Sequence, residues 1–399
     1  MDRERRKIFY LRTWEKLVYN ARKLGLTIRE KTKNTLETLA TYTDKLLANN
    51  DINYIEVASI SEEFVSRRHI VFGIDSSEGG FQRVGGFIIV PIASSCIKYE
   101  VNICSDKKME FSNAEKYVET LMPKLHDGIA PSIARYKTEL KMLEMETHMM
   151  DKVMNYIKAM GSNELENTKL WVFIDGPIID PPNLVIRSED DRRYMEERAN
   201  MISALYSYGA NVVGYVKRIM GVMWYKYLDS KYNISNVVSE FFHNDWSMAT
   251  VILSHALIKL AEQYIYRDTD VIVYTRPLIV RDKNYSIFED IGINVYYTYM
   301  LIGRSGESSV LGRIDFIVPS DTPDATIDKY IRKILLFTYL QLPPGFRYPL
   351  PVYLAHITCN IPRKEAQKLV RETIGKTLFE SLRTDPNLTK TLTELIEAM

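Results

Sequence analysis

Two carboxylates in this chain occupy the same kind of place. Val71-Phe-Gly-Ile-Asp75-Ser-Ser-Glu-Gly-Gly80 and Leu170-Trp-Val-Phe-Ile-Asp175-Gly-Pro are apolar runs that each end in one aspartate, followed at once by turn residues. Such a run reads as a buried strand that delivers its carboxylate to the edge of a sheet. An aspartate there can simply cap the turn through its side chain. Two of them, about a hundred residues apart, can instead converge at neighbouring strand ends. Paired carboxylates in that position hold divalent metal ions.

Further groups belong to the same chemistry. Residues 131–160 form a long helical pattern in which Tyr136, Leu143, Met150, Val153, Met154 and Ile157 share one face. Glu139 and Glu146 fall inside that apolar arc, whereas Glu144 and Asp151 fall outside it. A buried glutamate needs a partner, because an unpaired buried carboxylate is costly. The partner can be a metal shared with Asp75 and Asp175 or an arginine, and a glutamate at the arc's edge can also snorkel to water. Asn211-Val-Val-Gly-Tyr-Val216 is an apolar strand running into Lys217 and Arg218, two cations that suit a phosphodiester, though a Lys-Arg pair is more often only solvated. Asp180, in the Pro-rich loop after Asp175, is a spare acid. Late in the chain, Pro343, Pro344, Pro349 and Pro351 predict an extended, rigid approach to His356.

These residues need a framework to position them. Val84-Gly-Gly-Phe-Ile-Ile-Val-Pro91 predicts a hairpin behind Asp75, and the alternation over residues 96–104 a third antiparallel strand, making a three-strand meander. Residues 188–206 predict a helix, 219–266 a Tyr-, Trp- and Leu-rich helical stretch, 271–275, 293–302 and 314–319 strands, and 326–340 and the stretch from Pro362 helices. Before all of this, Phe9, Leu11, Trp14, Leu17 and Val18, then Leu36, Leu39, Leu46 and Leu47, predict two amphipathic helices, packed on the rest of the chain or facing a partner. The expected organisation is a helical extension over 1–50 and an α/β domain over 51–399 with a helical insertion near 219–266.

Composition narrows the class. The 399 residues are 46% hydrophobic, enough for one large domain or two ordinary ones. With 52 basic and 51 acidic residues the net charge is +1, so any basic groove for nucleic acid must be local. Cys96, Cys104 and Cys359 form no CxxC pair and support no structural zinc site. Isolated thiols fit a reducing compartment, and no stretch approaches the roughly 18 apolar residues of a membrane span, so a cytoplasmic protein is expected.

Taken together, Gly73-Ile-Asp75-Ser-Ser, Phe173-Ile-Asp175-Gly-Pro, Val213-Gly-Tyr-Val-Lys217-Arg218, Arg313-Ile-Asp315 and Tyr348-Pro-Leu-Pro-Val-Tyr-Leu-Ala-His356 resemble the NurA nucleases of archaea. The resemblance runs from about residue 65 to 375. It implies a ribonuclease-H-like mixed sheet flanked by helices. It also implies a manganese-dependent 5′-to-3′ exonuclease with single-strand endonuclease activity, magnesium being a possible substitute. The implied setting is a homodimer working with a HerA-type hexameric ATPase on single- and double-stranded DNA ends, in the resection that precedes double-strand break repair. Asp75 matches the family's first metal ligand, Asp175 the later strand-end aspartate, His356 the C-terminal histidine and Tyr348 an active-site tyrosine. The family's helix glutamate corresponds to Glu146 or a neighbour, since Gly161-Ser-Asn-Glu-Leu-Glu-Asn lengthens the approach to Asp175. Ser76 stands where the family often has glycine.

On that basis Asp75, Glu146 and Asp175 are expected to hold one or two Mn²⁺ or Mg²⁺ ions, with His356 as a further ligand or proton carrier and Lys217 and Arg218 on the phosphate. Two rivals remain. An actin-like ATPase also sets an aspartate and glycines after a strand, but here prolines stand where a phosphate cradle needs N–H groups. A non-catalytic DNA-end or helicase adaptor would not need the acids.

Overall fold

The computed structural model describes residues 22–382 except 24, 28, 31, 32, 34, 35, 58–61, 66, 85, 86, 105–108, 122–125, 128–130, 179–188, 218, 220, 237–242, 265–269, 282–285 and 305–308. Phe9, Leu11, Trp14, Leu17, Val18, Asp180 and Arg218 therefore lie outside the described residues. In chain order the strands are β1 (Ile52–Glu56), β2 (Arg68–Glu78), β3 (Gln82–Val84), β4 (Phe87–Ile89), β5 (Ile92–Ile103), β6 (Met109–Leu121), β7 (His126–Asp127), β8 (Thr168–Asp175), β9 (Ala210–Val216), β10 (Val271–Thr275), β11 (Leu278–Ile279), β12 (Ile293–Gly303) and β13 (Val310–Pro319). The longer helices are α1 (Pro131–Ala159), α2 (Glu189–Ser207), α3 (Met223–Tyr232), α4 (Asp245–Tyr264), α5 (Asp324–Leu340), α6 (Leu350–Cys359) and α7 (Arg363–Leu382).

The chain divides into two compact units, the larger made of Val57–Lys217, Pro277–Thr298 and Gly312–Met399. Its sheet runs β6–β5–β2–β8–β9–β13. β2 is antiparallel to β5, β5 to β6 and β13 to β9, while β2, β8 and β9 are mutually parallel neighbours. Parallel pairing demands long crossovers, and α1 between β6 and β8 and α2 between β8 and β9 supply them. Three antiparallel strands followed by two parallel ones, with helices on both faces, make the ribonuclease-H-like mixed α/β arrangement.

Which helix covers which face follows from the period of two along β2. Phe72 meets Tyr156 of α1 edge-on at 5.7 Å, so Phe72, Ile74 and Ser76 face α1. Gly73 and Asp75 face the other way, toward α6. A Cβ on Gly73 would lie 2.1 Å from the Pro351 carbonyl oxygen, so only glycine lets the backbone of α6 rest on β2. On the same face of β8, Trp171 stacks on Phe337 of α5 at 3.8 Å. Leu143, Met150, Val153, Met154 and Ile157 of α1 are buried as their spacing predicts, and Tyr136 is half-buried, donating to Asp191.

Two local expectations are corrected. The run after Gly80 does not pair with β2: β3 and β4 join β7 in a separate three-stranded sheet, and β2 pairs directly with β5. Gly79 N–H donates to Pro91 O at 2.8 Å and Gly80 takes φ +85°, so residues 81–90 leave and rejoin the ladder as an excursion. Nor is the approach to His356 extended, because Pro349 caps α6 and Pro351 lies in its first turn. Proline lacks only an N–H that a first turn leaves unbonded anyway, so these prolines start the helix that carries His356.

The smaller unit comprises Met1–Glu56, Arg218–Arg276 and Tyr299–Leu311. The described residues between 22 and 48 are helical, with Leu39 and Leu46 fully buried and Leu36 exposed. β1 pairs antiparallel with β10, and β10 with the end of β12. β1 and β6 were not expected from the sequence. Asp51 is wholly buried beneath α3, where Lys231 Nζ reaches both its carboxylate oxygens at 2.8 and 2.7 Å, and the Tyr227 and Tyr232 hydroxyls also donate. Cys96 and Cys359 are buried free thiols, and no helix of the described residues is long and apolar enough to cross a membrane.

Candidate metal centre

The parallel register of β2 and β8 pairs Gly73 with Phe173 and Ile74 with Ile174. The next residues, Asp75 and Asp175, therefore stand side by side on one face where that parallel ladder ends; Asp175 closes β8, but Asp75, expected at a strand end, is followed by three more residues of β2 that stay paired with β5. Each is fixed by local backbone chemistry. Ser76 N–H donates to Asp75 Oδ1 at 2.8 Å, and Ser94 Oγ of β5 donates to the Asp75 carbonyl at 3.1 Å. After Asp175 the chain turns through Gly176 at φ +119°, whose N–H donates to Tyr215 O at 2.9 Å. The returning loop passes so close to β9 that a Cβ on Gly214 would lie 2.8 Å from Gly176 O.

α6 brings the third group. Its register on the sheet is set by Gly73 beneath Pro351, by Ser95 Oγ donating to Ala355 O at 2.8 Å, and by Ser77 Oγ donating to Cys359 O. His356 Nδ1 then lies at hydrogen-bond distance from Asp75 Oδ2, 2.8 Å, and 3.7 Å from Asp175 Oδ2. One ligand atom from each of Asp75, Asp175 and His356 lies within 4.8 Å of the others. The carboxylates are nearly buried and the imidazole is 46% exposed, so the cluster opens to solvent on the histidine side.

This donor set fits a divalent cation. Two carboxylate oxygens and an imidazole are all ligands that divalent metal ions accept. The electrostatics agree: burial, then the neighbouring Asp75 carboxylate, push Asp175 up to about 8 against the opposing pull of Lys217. Two carboxylates that resist joint ionisation are relieved by a cation between them.

The remaining predicted residues sort themselves around this cluster. Lys217 forms an ion pair with Asp175 Oδ2, and its ammonium sits 4.6 Å over the Tyr348 ring. Tyr215 OH donates to Arg347 O at 3.2 Å, which holds the Tyr348 segment against β9. Glu146 stands on the α1 side of the sheet and is outside the three-residue group. Its Oε1 accepts from Ser76 Oγ at 2.6 Å, and its Oε2 lies 2.9 Å from Nη2 of the fully buried Arg198. Glu139 forms a 3.1 Å ion pair with Arg135 on the helix surface, and Glu144 one of 2.6 Å with Lys141.

Arg198 was missed from sequence. It also donates from Nε to Ile178 O at 2.7 Å, tying the loop after Asp175 to α2 and α1. Its signal was present, because Met195, Arg198, Ala199, Ile202 and Leu205 recur at helical spacing and are all buried. Arg313 and Asp315 of β13 neutralise each other through two hydrogen bonds of 2.7 and 2.8 Å.

No curated protein matches the chain. The family model for the NurA domain matches residues 69–359, a span that runs from the start of β2 to the end of α6 and holds every group just described. The chain belongs to the NurA domain family, a family of nucleases.

Proposed function

We propose that this protein is a divalent-metal-dependent deoxyribonuclease that degrades DNA 5′ to 3′ and cuts single strands internally, with Mn²⁺ preferred to Mg²⁺. One observation carries the reading: Asp75, Asp175 and His356 meet where the parallel pairing of β2 and β8 ends, in a chain of a nuclease family. Those three would hold the ion. When bound, the ion supplies Lewis-acid polarisation of the scissile phosphodiester. Lys217, held against the Tyr348 face, would present a fixed ammonium to the phosphate, and Arg218 a second cation. Tyr348 keeps that ammonium in place, and the exposed edge of His356 lies where a proton can pass between the site and water. Glu146, through Ser76 and Arg198, would hold β2 at Asp75 and the Asp175 loop in register. The partners we propose are a HerA-type hexameric ATPase and a second copy of the chain, acting on DNA ends in the cytoplasm during double-strand break repair.

End-labelled single- and double-stranded DNA, incubated with the protein in EDTA, Mg²⁺ or Mn²⁺, tests this. Cleavage should require metal, be faster in Mn²⁺, shorten DNA from 5′ ends and fall steeply in Asp75→Asn. Undiminished cutting in EDTA would remove the metal centre. No cutting with any metal would leave a DNA-end adaptor.

A further inference from the structure

We infer that Asp315, held by Arg313, is a positioning residue for Asp175, acting through the backbone of Ile178 from the reverse side of the sheet. The inference rests on the metal-centre reading above and adds to it a residue outside the ligand cluster. Register fixes where Asp315 stands. Ile74 pairs with Ile174, Ile174 with Gly214 and Gly214 with Asp315, so these four form one row across β2, β8, β9 and β13. Residues opposite one another in a ladder share a face, so Asp315 lies on the α1 side with Ile74. Asp75 and Asp175, one residue further along, face α6. Asp315 is fully buried, and Arg313 grips its two oxygens at 2.7 and 2.8 Å.

The carboxylate reaches the turn after Asp175. Gly214 leaves room for that turn to cross β9: an added Cβ would lie 2.8 Å from Gly176 O, 3.0 Å from Ile178 N and 3.2 Å from Asp315 Cβ. There the Ile178 N–H donates to Asp315. Pro177 has no N–H to give, and Gly176 N–H goes to Tyr215 O, so the turn is held at one end by β9 and at the other by Asp315. Arg198 completes the grip. Its Nε donates to Ile178 O at 2.7 Å, and its Nη2 lies 2.9 Å from Glu146, which accepts from Ser76. One polar chain thus runs beneath the sheet from Ser76 through Glu146, Arg198 and Ile178 to Asp315 and Arg313. It joins the residue after Asp75 to the turn after Asp175, and along it each buried acid faces a guanidinium. A buried ion pair is by itself weak evidence of stability. One whose carboxylate also takes a loop N–H fixes a position, here that of the turn which aims Asp175 at Asp75 and His356.

Two double variants of the full chain test this, by isothermal titration with Mn²⁺ in the absence of DNA and by thermal melting. Arg313→Gln with Asp315→Asn removes both charges but keeps a carbonyl oxygen for the Ile178 N–H, and should bind Mn²⁺ as the wild type does. Arg313→Met with Asp315→Leu removes charges and acceptor together. Apolar replacement of a buried pair keeps the fold, so the melting temperature should hold while Mn²⁺ affinity falls about tenfold. Wild-type affinity in this second variant, or an equal loss in both, would overturn the inference. If the second variant does not fold, hydrogen exchange in the metal-free wild type decides: the Ile178 amide should exchange slowly, and exchange at the open-chain rate would overturn the inference. Unaltered Mn²⁺ binding by Asp75→Asn would instead sink the metal-centre reading itself.

Discussion

Asp51 in the smaller unit and Asp175 in the larger are both withdrawn from water, and their surroundings treat them in opposite ways. Burial works to raise Asp51, but hydrogen bonds from Lys231, Tyr227 and Tyr232 outweigh it and hold the carboxyl below its ordinary range. At Asp175 burial and the Asp75 charge win, and the carboxyl is pushed up to about 8 despite Lys217. The first aspartate is a finished structural element. The second is unfinished, since its neighbourhood still lacks positive charge. The contrast is the one expected between a buried acid that stabilises a fold and one kept for a ligand, and it supports the metal role proposed for Asp175.

The sharpest test of that contrast is exchange of charge for shape. Asp75→Asn and Asp175→Asn should each lower nuclease turnover on the order of a thousandfold, while circular dichroism shows an intact fold. Wild-type cutting by either variant would place the chemistry elsewhere. Glu146 falls on the Asp51 side of the divide. Glu146→Gln leaves buried Arg198 uncompensated and should cost about 3 kcal/mol in chemical denaturation, whereas Glu144→Gln, at a surface pair, should cost under about 0.5 kcal/mol. Equal effects would mean that Arg198 contributes nothing. Asp51→Asn should cost about 2 kcal/mol, part of the Lys231 charge being open to water, and leave Mn²⁺ affinity unchanged.

The smallest effect expected is on pH dependence, where the two aspartates act with opposite sign. Asp51, lowered in the fold, adds stability above its unfolded value near ~4 that is lost as pH falls through the folded value. Asp175, raised in the fold, binds its proton more tightly when folded. Its contribution is greatest below ~4 and declines as pH rises toward about 8. Metal-free melting curves should show that decline, Asp175→Asn should flatten it, and Mn²⁺ should raise the melting temperature more at pH 8 than at pH 6. A metal effect independent of pH would put Asp175 outside the ion's reach.

Much of the centre was legible because β2 and β8 are buried on both faces, so each strand is an unbroken apolar run up to its first carboxylate, which ends β8 at Asp175 but in β2 is followed by three more strand residues. The face of α1 was legible through its period, yet the partner of Glu146 was not. A helical pattern tells that a glutamate is buried and not whether a metal or an arginine meets it. β6 escaped notice for the converse reason. Its residues are almost all exposed on both faces, so no alternation marks the strand. The prolines before His356 misled because proline restricts φ in an extended chain and in a helix's first turn alike. Only the burial of Pro351 against Gly73 distinguishes the two.

Gly73 carries a consequence for engineering the protein. Because its missing side chain sets the clearance between β2 and α6, it acts as a spacer two residues away from Asp75 and touches no ligand. Alanine there would meet backbone, which cannot rotate aside as a side chain can, so α6 would have to lift or tilt. His356 would then drift from both aspartates while every ligand stayed chemically whole. A series of alanine, serine and valine at this position would work as a dial on how firmly the ion is gripped.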